Sequence, residues 1–247
     1  MKTLGIIPAR FESSRFPGKP LVKIGGKTMI HRVYEQCLKT EILSDVIVAT
    51  DDKRIFDHVK SFGGKVQMTS PNHPTGTDRI AEIAQKMEDF DVIVNIQGDE
   101  PFIHPQQIEA VLKVFEKNKI ARIATGVRVI KNQNDIENPN VVKAVFGKNG
   151  KALYFSRSPI PFLRNIKKED WGTIAFYKHI GMYAFRRDAL LEITKLKPSR
   201  LESLESLEQL RWLENGFEIF IIELPFDSFG VDTPEDLEEA EKLLRKL

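Results

Sequence analysis

Short runs rich in valine and isoleucine alternate with amphipathic helical patterns through the first half of the chain, and this alternation restricts the possible folds more than any other feature. The predicted strands are Thr3–Ile7, Asp45–Ala49, Lys65–Met68, Asp91–Ile96 and Arg122–Val127. The predicted helices between them are Met29–Lys39, Ile55–Phe62, Asp78–Met87 and Pro105–Glu116. Continuous apolar runs of strand length mark strands covered on both faces, and strands joined through helices pair in parallel. The pattern therefore predicts an α/β fold with a doubly wound, mostly parallel sheet. The chain of 247 residues is long enough for one large or two small domains with a substantial core.

After Gly126 the pattern changes. Val141–Phe146 and Ala152–Phe155 flank Gly147-Lys148-Asn149-Gly150, which reads as a hairpin turn, and His179–Phe185 and Glu218–Leu224 read as further strands. Leu204, Leu207, Leu210, Trp212 and Leu213 fall on one side of a helix predicted to start near Ser199. Thr233-Pro234-Glu235 opens a last helix, with Thr233 as its N-cap. The polar segment Leu163–Ile174 is the best candidate for a mobile flap.

Composition excludes several classes of function. A net charge of +2 implies no general nucleic-acid or anionic-membrane surface, and no apolar run approaches membrane-spanning length. The expectation is thus no nucleic-acid partner and no membrane insertion. The single cysteine, Cys37, lies in a helical pattern, so it reads as a buried packing residue in a reducing compartment. The 5 histidines lack metal-ligand spacing, so no zinc site is expected.

The chemistry-bearing residues cluster where predicted strands end. The first strand runs into Pro8-Ala9-Arg10-Phe11-Glu12-Ser13-Ser14-Arg15-Phe16-Pro17-Gly18-Lys19-Pro20. Cations and hydroxyls on a loop stiffened by proline and glycine, at the ligand edge of a parallel sheet, suit a polyphosphate. The plain alternative is a solvated basic loop. A later strand ends in Gln97-Gly98-Asp99-Glu100-Pro101, and Asp232 precedes the last helix. Carboxylates so placed suit a hard cation such as Mg²⁺ shared with substrate phosphates, or serve merely as a turn and a helix cap. His73-Pro74-Thr75-Gly76-Thr77-Asp78-Arg79 leads into a helix whose N-terminus favours an anion. Thr77 is followed by Ile80 three residues on, so a plain N-cap at Thr77 is expected rather than a capping box. In the second half, Arg157 suits bidentate recognition of a carboxylate, and His179 and Tyr183 suit sugar hydroxyls; packing with surface polarity is the alternative.

Taken together and in order, these motifs resemble the 3-deoxy-D-manno-octulosonate (Kdo) cytidylyltransferases, also called CMP-Kdo synthetases. The likeness runs through the Ile7–Leu21 stretch, Thr50-Asp51-Asp52, Thr75–Arg79, Asn95–Pro101, Tyr154–Arg157, Lys178–Gly181 and Gly230–Pro234, nearly the whole chain. One departure is Ser206-Leu207, where Glu-Lys or Lys-Leu is expected before Glu208-Gln209. The resemblance implies a Rossmann-like, mostly parallel sheet of the nucleotide-diphospho-sugar transferase type, with a smaller mixed sheet and a dimerisation region in the second half. It implies one nucleotidyltransferase domain over 1–247: a nucleotide-binding part (1–130), a sugar-binding and dimerisation part (131–225), and the metal aspartate with the C-terminal helix (226–247).

The activity it implies is CTP + Kdo → CMP-Kdo + diphosphate with Mg²⁺, in a cytoplasmic homodimer serving lipopolysaccharide synthesis. Arg10, Lys19, Asp99 and Asp232 are then catalytic, the two aspartates as metal ligands. Pro8, Ala9, Arg10, Ser13, Arg15, Lys19, Pro74, Thr75, Gly76, Arg79, Gln97 and Gly98 contact the nucleotide. Gln97, Arg157, His179, Tyr183, Glu208 and Gln209 contact Kdo. The alternatives are a different sugar nucleotidyltransferase, such as one using sialate, and a catalytically silent nucleotide-binding module.

Overall fold

The computed structural model describes residues 1–12 and 16–245. The chain folds into two compact units, one built from Met1–Glu109, Phe185–Thr194 and the chain from Ser228 on, the other from Ala110–Ala184 and Lys195–Asp227.

The first unit opens with β1 (Thr3–Ala9), a small hairpin of β2 (Lys23–Ile24) and β3 (Lys27–Thr28), and helix α1 (Met29–Cys37). There follow β4 (Asp45–Thr50), α2 (Lys53–Ser61), β5 (Val66–Met68), α3 (Gly76–Lys86), β6 (Val92–Asn95) and α4 (Pro105–Lys117), which passes into the second unit after Glu109. Its sheet has the order β6-β1-β4-β5, and its strand pairs run parallel. Leu4, Ile6, Ile7, Val48, Ile93 and Val94 are fully buried, as strands covered on both faces require. Cys37 is buried, and burial pushes its thiol pKa up, so it is the packing residue the sequence predicts. β1 runs to Ala9 rather than ending at Ile7, because the register with β4 continues through Pro8↔Ala49 and Ala9↔Thr50.

In the second unit, β7 (Ile123–Val129) precedes the short α5 (Asn134–Glu137), β8 (Lys143–Phe146), β9 (Ala152–Ser156) and β10 (Tyr177–Arg186). α6 (Arg187–Ile193) belongs to the first unit, and α7 (Arg200–Glu205), α8 (Glu208–Glu214) and β11 (Ile219–Glu223) return to the second. β11 pairs parallel with β7, while β8 pairs antiparallel with β9 and β10. The pairing among these strands is therefore mixed, but they belong to one 9-stranded sheet and not to the separate smaller sheet expected. The Gly147–Gly150 turn closes the β8–β9 hairpin through Gly147 N–H to Lys151 O (2.9 Å), with Gly150 at φ 74°.

Three local expectations are corrected. The helix predicted from Ser199 is broken at Ser206 (φ 52°) into α7 and α8. The break turns Leu204 outward, while Leu207, Leu210 and Trp212 stay buried. The Leu163–Ile174 segment is anchored: Leu163, Trp171 and Ile174 pack on Ile130, Ile136 and Phe176. Gln133 also donates to Lys168 O at 2.6 Å. Finally, α3 starts at Gly76 with Thr75, not Thr77, as its N-cap. Thr75 is extended, and its hydroxyl and the Asp78 carboxylate complete a reciprocal capping box.

The last helix, α9 (Pro234–Leu244), has the expected Thr233 cap and returns to the first unit. Val231 and Ala240 bury against Ile24 and Met29, with Phe102, Phe229, Leu237 and Leu244 packed around them. Gly25 N–H donates to Glu241 at 2.8 Å. Gly25 has φ +53°, and a Cβ there would lie 2.0 Å from Leu244 Cδ2. Gly26 is also left-handed (φ +83°), but a Cβ there meets open space. Gly26→Ala should therefore lose only the left-handed backbone preference, about 1–2 kcal/mol. Gly25→Ala should lose clearly more, read from urea midpoints; equal losses would mean that α9 does not press on the hairpin.

Candidate active site

The loops after β1, β4 and β6, together with the residues before α9, carry the chemistry of the first unit. The β1 loop is closed at its neck, where Gly18 N–H donates to Phe11 O (2.8 Å). Gly18 has φ 72°, and Lys19 opens a 3₁₀ turn (Lys19–Leu21) whose second residue is Pro20, so Lys19 leaves the loop from a fixed backbone. Ser13 and Arg15 lie outside the described residues. Pro8, Ala9, Arg10, Lys19, Gln97, Gly98 and Asp99 line a cavity of about 150 Å³ together with Glu12 and Pro20. The cavity thus gathers seven of the residues predicted from sequence, and Glu12 and Pro20 are additions to that set.

Lys19 Nζ bonds Asp99 Oδ2 at 2.7 Å and Asp232 Oδ1 at 2.8 Å. Burial works against the ammonium, but the two carboxylates outweigh it and raise its pKa. The pair is held by backbone: Val231 N–H donates to Asp99 O (2.9 Å), and Asp232 N–H donates to the Asp236 carboxylate (2.9 Å) that closes the α9 cap. Gly98 lets the β6 loop approach β1, since a Cβ there would lie 2.8 Å from Pro8 O. The adjacent carboxylates of the Gly98-Asp99-Glu100 turn have opposite fates. Asp99 faces Lys19, whereas Glu100 is buried. Burial and the Asp99 charge push the Glu100 pKa up to about 8, so it is mostly protonated at neutral pH.

Arg10 donates to the backbone carbonyls of His73 and Thr75 and so fastens the β1 loop to the turn before α3. Burial and the nearby Arg79 charge lower its pKa. Gly76 faces Pro8, and Pro74 is exposed on the same turn. Arg79 is fully buried and binds Asp51 (2.6 Å) and Thr69 (2.5 Å) instead of lining the cavity. It holds the turn in place, and removing Asp51 would strand a buried charge at a cost of about 3–5 kcal/mol. Glu82 also braces this turn by accepting from Ser70 N–H (2.8 Å) and pairing with His73 (2.7 Å). The spacing of Asp51 from Arg79 carries no local signal for that pairing.

The second unit gathers the other predicted residues. Arg157 Nε donates to Glu205 O (2.7 Å), Nη1 to Pro139 O (2.9 Å) and Nη2 to Ser206 O (3.3 Å). The Glu205 carboxylate accepts from Ser156 Oγ (2.6 Å) and Arg157 N–H (2.8 Å). Lys143, fully buried on β8, donates to Asn138 O (3.0 Å) and Arg157 O (2.5 Å). Sequence reasoning passed over Glu205 and Lys143; a lysine on the inward side of an apolar strand is the signal that would have found the latter.

His179 rests edge-on against Phe155 (5.1 Å) and beside Tyr183 (5.1 Å), which meets Trp212 at 5.0 Å. The Thr125 hydroxyl donates to Met182 O (2.8 Å), which leaves it to accept from His179 Nε2 at 2.9 Å. Burial lowers the His179 pKa to about 3, although the residue as a whole is half-buried rather than fully buried. Burial, with the Glu208 charge, raises the Tyr183 phenol. Glu208 opens α8, and Gln209 beside it is buried.

A parallel sheet with cations and a carboxylate pair gathered at its C-terminal edge has the layout of an α/β protein that binds a charged ligand there. The cytidylyltransferase family profile matches residues 4–219. The chain is 55% identical to the 3-deoxy-manno-octulosonate cytidylyltransferase of Bacteroides thetaiotaomicron over 99% of both chains, and 50% identical to that of Geobacter metallireducens over 99% of both. It superposes on a CMP:2-keto-3-deoxy-manno-octonic acid synthetase complexed with CTP with a TM-score of 0.93 and 42% identity, covering 100% of this chain and 99% of the other. A cytidylyltransferase from Leptospira borgpetersenii, at 18% identity and TM-score 0.66, shares the fold. The chain belongs to the cytidylyltransferase family, with the 3-deoxy-manno-octulosonate cytidylyltransferases as its full-length relatives.

His179 is thus a neutral Nε2–H donor from pH 5 to 8. Its ring NMR shifts should not titrate in that range. A midpoint near 6.5 would place the ring in water and remove the burial argument. Because the folded pKa lies below the unfolded one, this group's contribution to stability is full above about pH 6.5 and is lost as pH falls toward 3.

Proposed function

We infer that the protein is a CMP-Kdo synthetase that transfers the cytidylyl group of CTP to 3-deoxy-D-manno-octulosonate, releasing diphosphate. The observation that carries this reading is the pairing of full-length identity of 55% with the cation-and-carboxylate site at the sheet edge. The Kdo 2-hydroxyl oxygen bonds to the α-phosphorus of CTP in line, the bond to the β-phosphate oxygen breaks, and the hydroxyl proton leaves to solvent. The reading places the enzyme in the cytoplasm, where it serves lipopolysaccharide assembly. The second reading with support in the fold alone is a related sugar nucleotidyltransferase, such as one using sialate.

Arg10 and Lys19, with Arg15, hold the triphosphate and neutralise the leaving diphosphate. The backbone at Pro8, Ala9 and Gly98, the turn Pro74–Gly76 and the side chains of Ser13 and Gln97 orient the nucleotide. Arg79 acts through its buried pairing with Asp51, by fixing that turn. Among the described residues no cluster of three or more His, Cys, Asp and Glu side chains could hold a metal, but Asp99 and Asp232 already share one cation. Two carboxylates fit Mg²⁺, which takes its other ligands from water and substrate phosphates. When bound there, Mg²⁺ supplies charge neutralisation at the phosphate oxygens. Arg157, His179, Tyr183, Gln97, Glu208 and Gln209 hold Kdo, with Arg157 meeting its carboxylate through N–H groups that the three carbonyls leave over.

The test is diphosphate release from CTP and Mg²⁺ with and without Kdo, with sialate as control. Release should require both CTP and Kdo, and Asp99→Asn should lower kcat by about 100-fold or more, the scale of losing one preorganised electrostatic partner. Release with sialate instead would keep the chemistry and change the sugar. Tight CTP binding without release would leave a silent nucleotide-binding module. The same reading makes the enzyme a homodimer, supported by the exposed Leu153, Phe162 and Leu204 of the second unit. Light scattering should give twice the chain mass, and a monomer at micromolar concentration would remove the dimer from the reading.

A further inference from the structure

Lys19 stands where a divalent cation would have to stand. Its ammonium bridges Asp99 and Asp232 at 2.7 and 2.8 Å, and the same side chain lines the cavity that also holds Arg10 and Gln97. The backbone bond from Val231 to Asp99 and the α9 cap that takes Asp232 N–H hold the carriers of the two carboxylates together. The lysine, by contrast, hangs from its rigid backbone on a four-carbon stem with free rotors. A carboxylate pair of this kind accepts one cation readily, and an ammonium and a divalent ion repel each other if both are present.

We propose that Lys19 is a tethered counter-ion that covers the Asp99–Asp232 pair in the nucleotide-free protein, and that a bound polyphosphate draws its ammonium away and uncovers the pair. Metal binding to these carboxylates then accompanies or follows the nucleotide and does not precede it. The coupling is reciprocal: a metal on the carboxylates releases Lys19 to the phosphates and tightens their binding. The inference rests on the reading above that Asp99 and Asp232 hold the metal. It adds a role for Lys19 in setting the order of binding, beyond contact with phosphate.

Mn²⁺ binding to the nucleotide-free protein, followed by electron paramagnetic resonance, tests this without any turnover. Lys19→Met should bind Mn²⁺ at least about tenfold more tightly than the unaltered protein, within the usual range of coupling between sites. Lys19→Gln should do the same, which guards against a folding defect particular to methionine. Adding Asp99→Asn should abolish the gain. Arg10→Met removes a cation from the same cavity, but one bonded to the carbonyls of His73 and Thr75 rather than to the carboxylates. It should change Mn²⁺ affinity much less. An equal gain from Arg10→Met would reveal a general charge effect and overturn the proposal. Equal affinity in the unaltered protein and Lys19→Met, with both lost on Asp99→Asn, would overturn the covering role and leave the metal assignment standing. No binding that depends on Asp99 in any variant would overturn the metal assignment and this proposal together.

Discussion

The ammonium of Lys19 between Asp99 and Asp232 is the contact on which the rest of the candidate site depends. It joins residues 80 and 213 positions apart in the chain. Two carboxylates held side by side and partly removed from water repel strongly, so their closeness requires a cation. Each carrier is brought there by a separate device. Parallel pairing of β1 and β6 places their loops at one sheet edge, and Gly98 allows the approach to Pro8. The α9 cap and the buried cluster around Val231 and Ala240 return the C-terminal segment to the same place. A parallel sheet supplies the edge, and the glycine and the capped helix make the edge chemically specific.

The parts of this arrangement that were legible in the sequence are those written locally. The Val and Ile runs of β1, β4 and β6 announce strands because both faces are covered, and Gly-Lys-Pro or Gly-Asp-Glu after such a run announces a ligand edge. Thr233-Pro234 marks α9 for the same reason: a cap and a proline act within one turn. What was not legible depends on distant partners. Arg79 looks like a ligand residue at a helix start, yet Asp51 and Thr69 take its guanidinium into the core. Glu100 looks like a second acidic ligand, yet its burial leaves it mostly neutral at neutral pH. The break at Ser206 goes with the carbonyls of Glu205 and Ser206 turning to Arg157, just after β9, a long-range contact that helix periodicity cannot report.

The two units differ in their electrostatic character in a way that bears on what each recognises. The first unit arranges full charges, cations along a narrow cavity beside a carboxylate pair, which suits phosphates and a metal whose charges must be matched. The groups of the second unit that the proposed function assigns to the sugar are neutral. His179 is held as a neutral donor to Thr125, and Tyr183, packed beside its ring, keeps its phenolic proton. Its formal charges are largely satisfied within the unit: Arg157 gives three N–H groups to carbonyls, and Glu205 takes two donors from β9 and the residue after it. Neutral, fixed donors discriminate hydroxyl patterns well, because a partner lacking the right hydroxyl leaves them desolvated and unpaired. A polyhydroxylated acid with a single carboxylate matches such groups better than a second phosphate would, which supports the proposal that the second unit takes the sugar and the first the nucleotide.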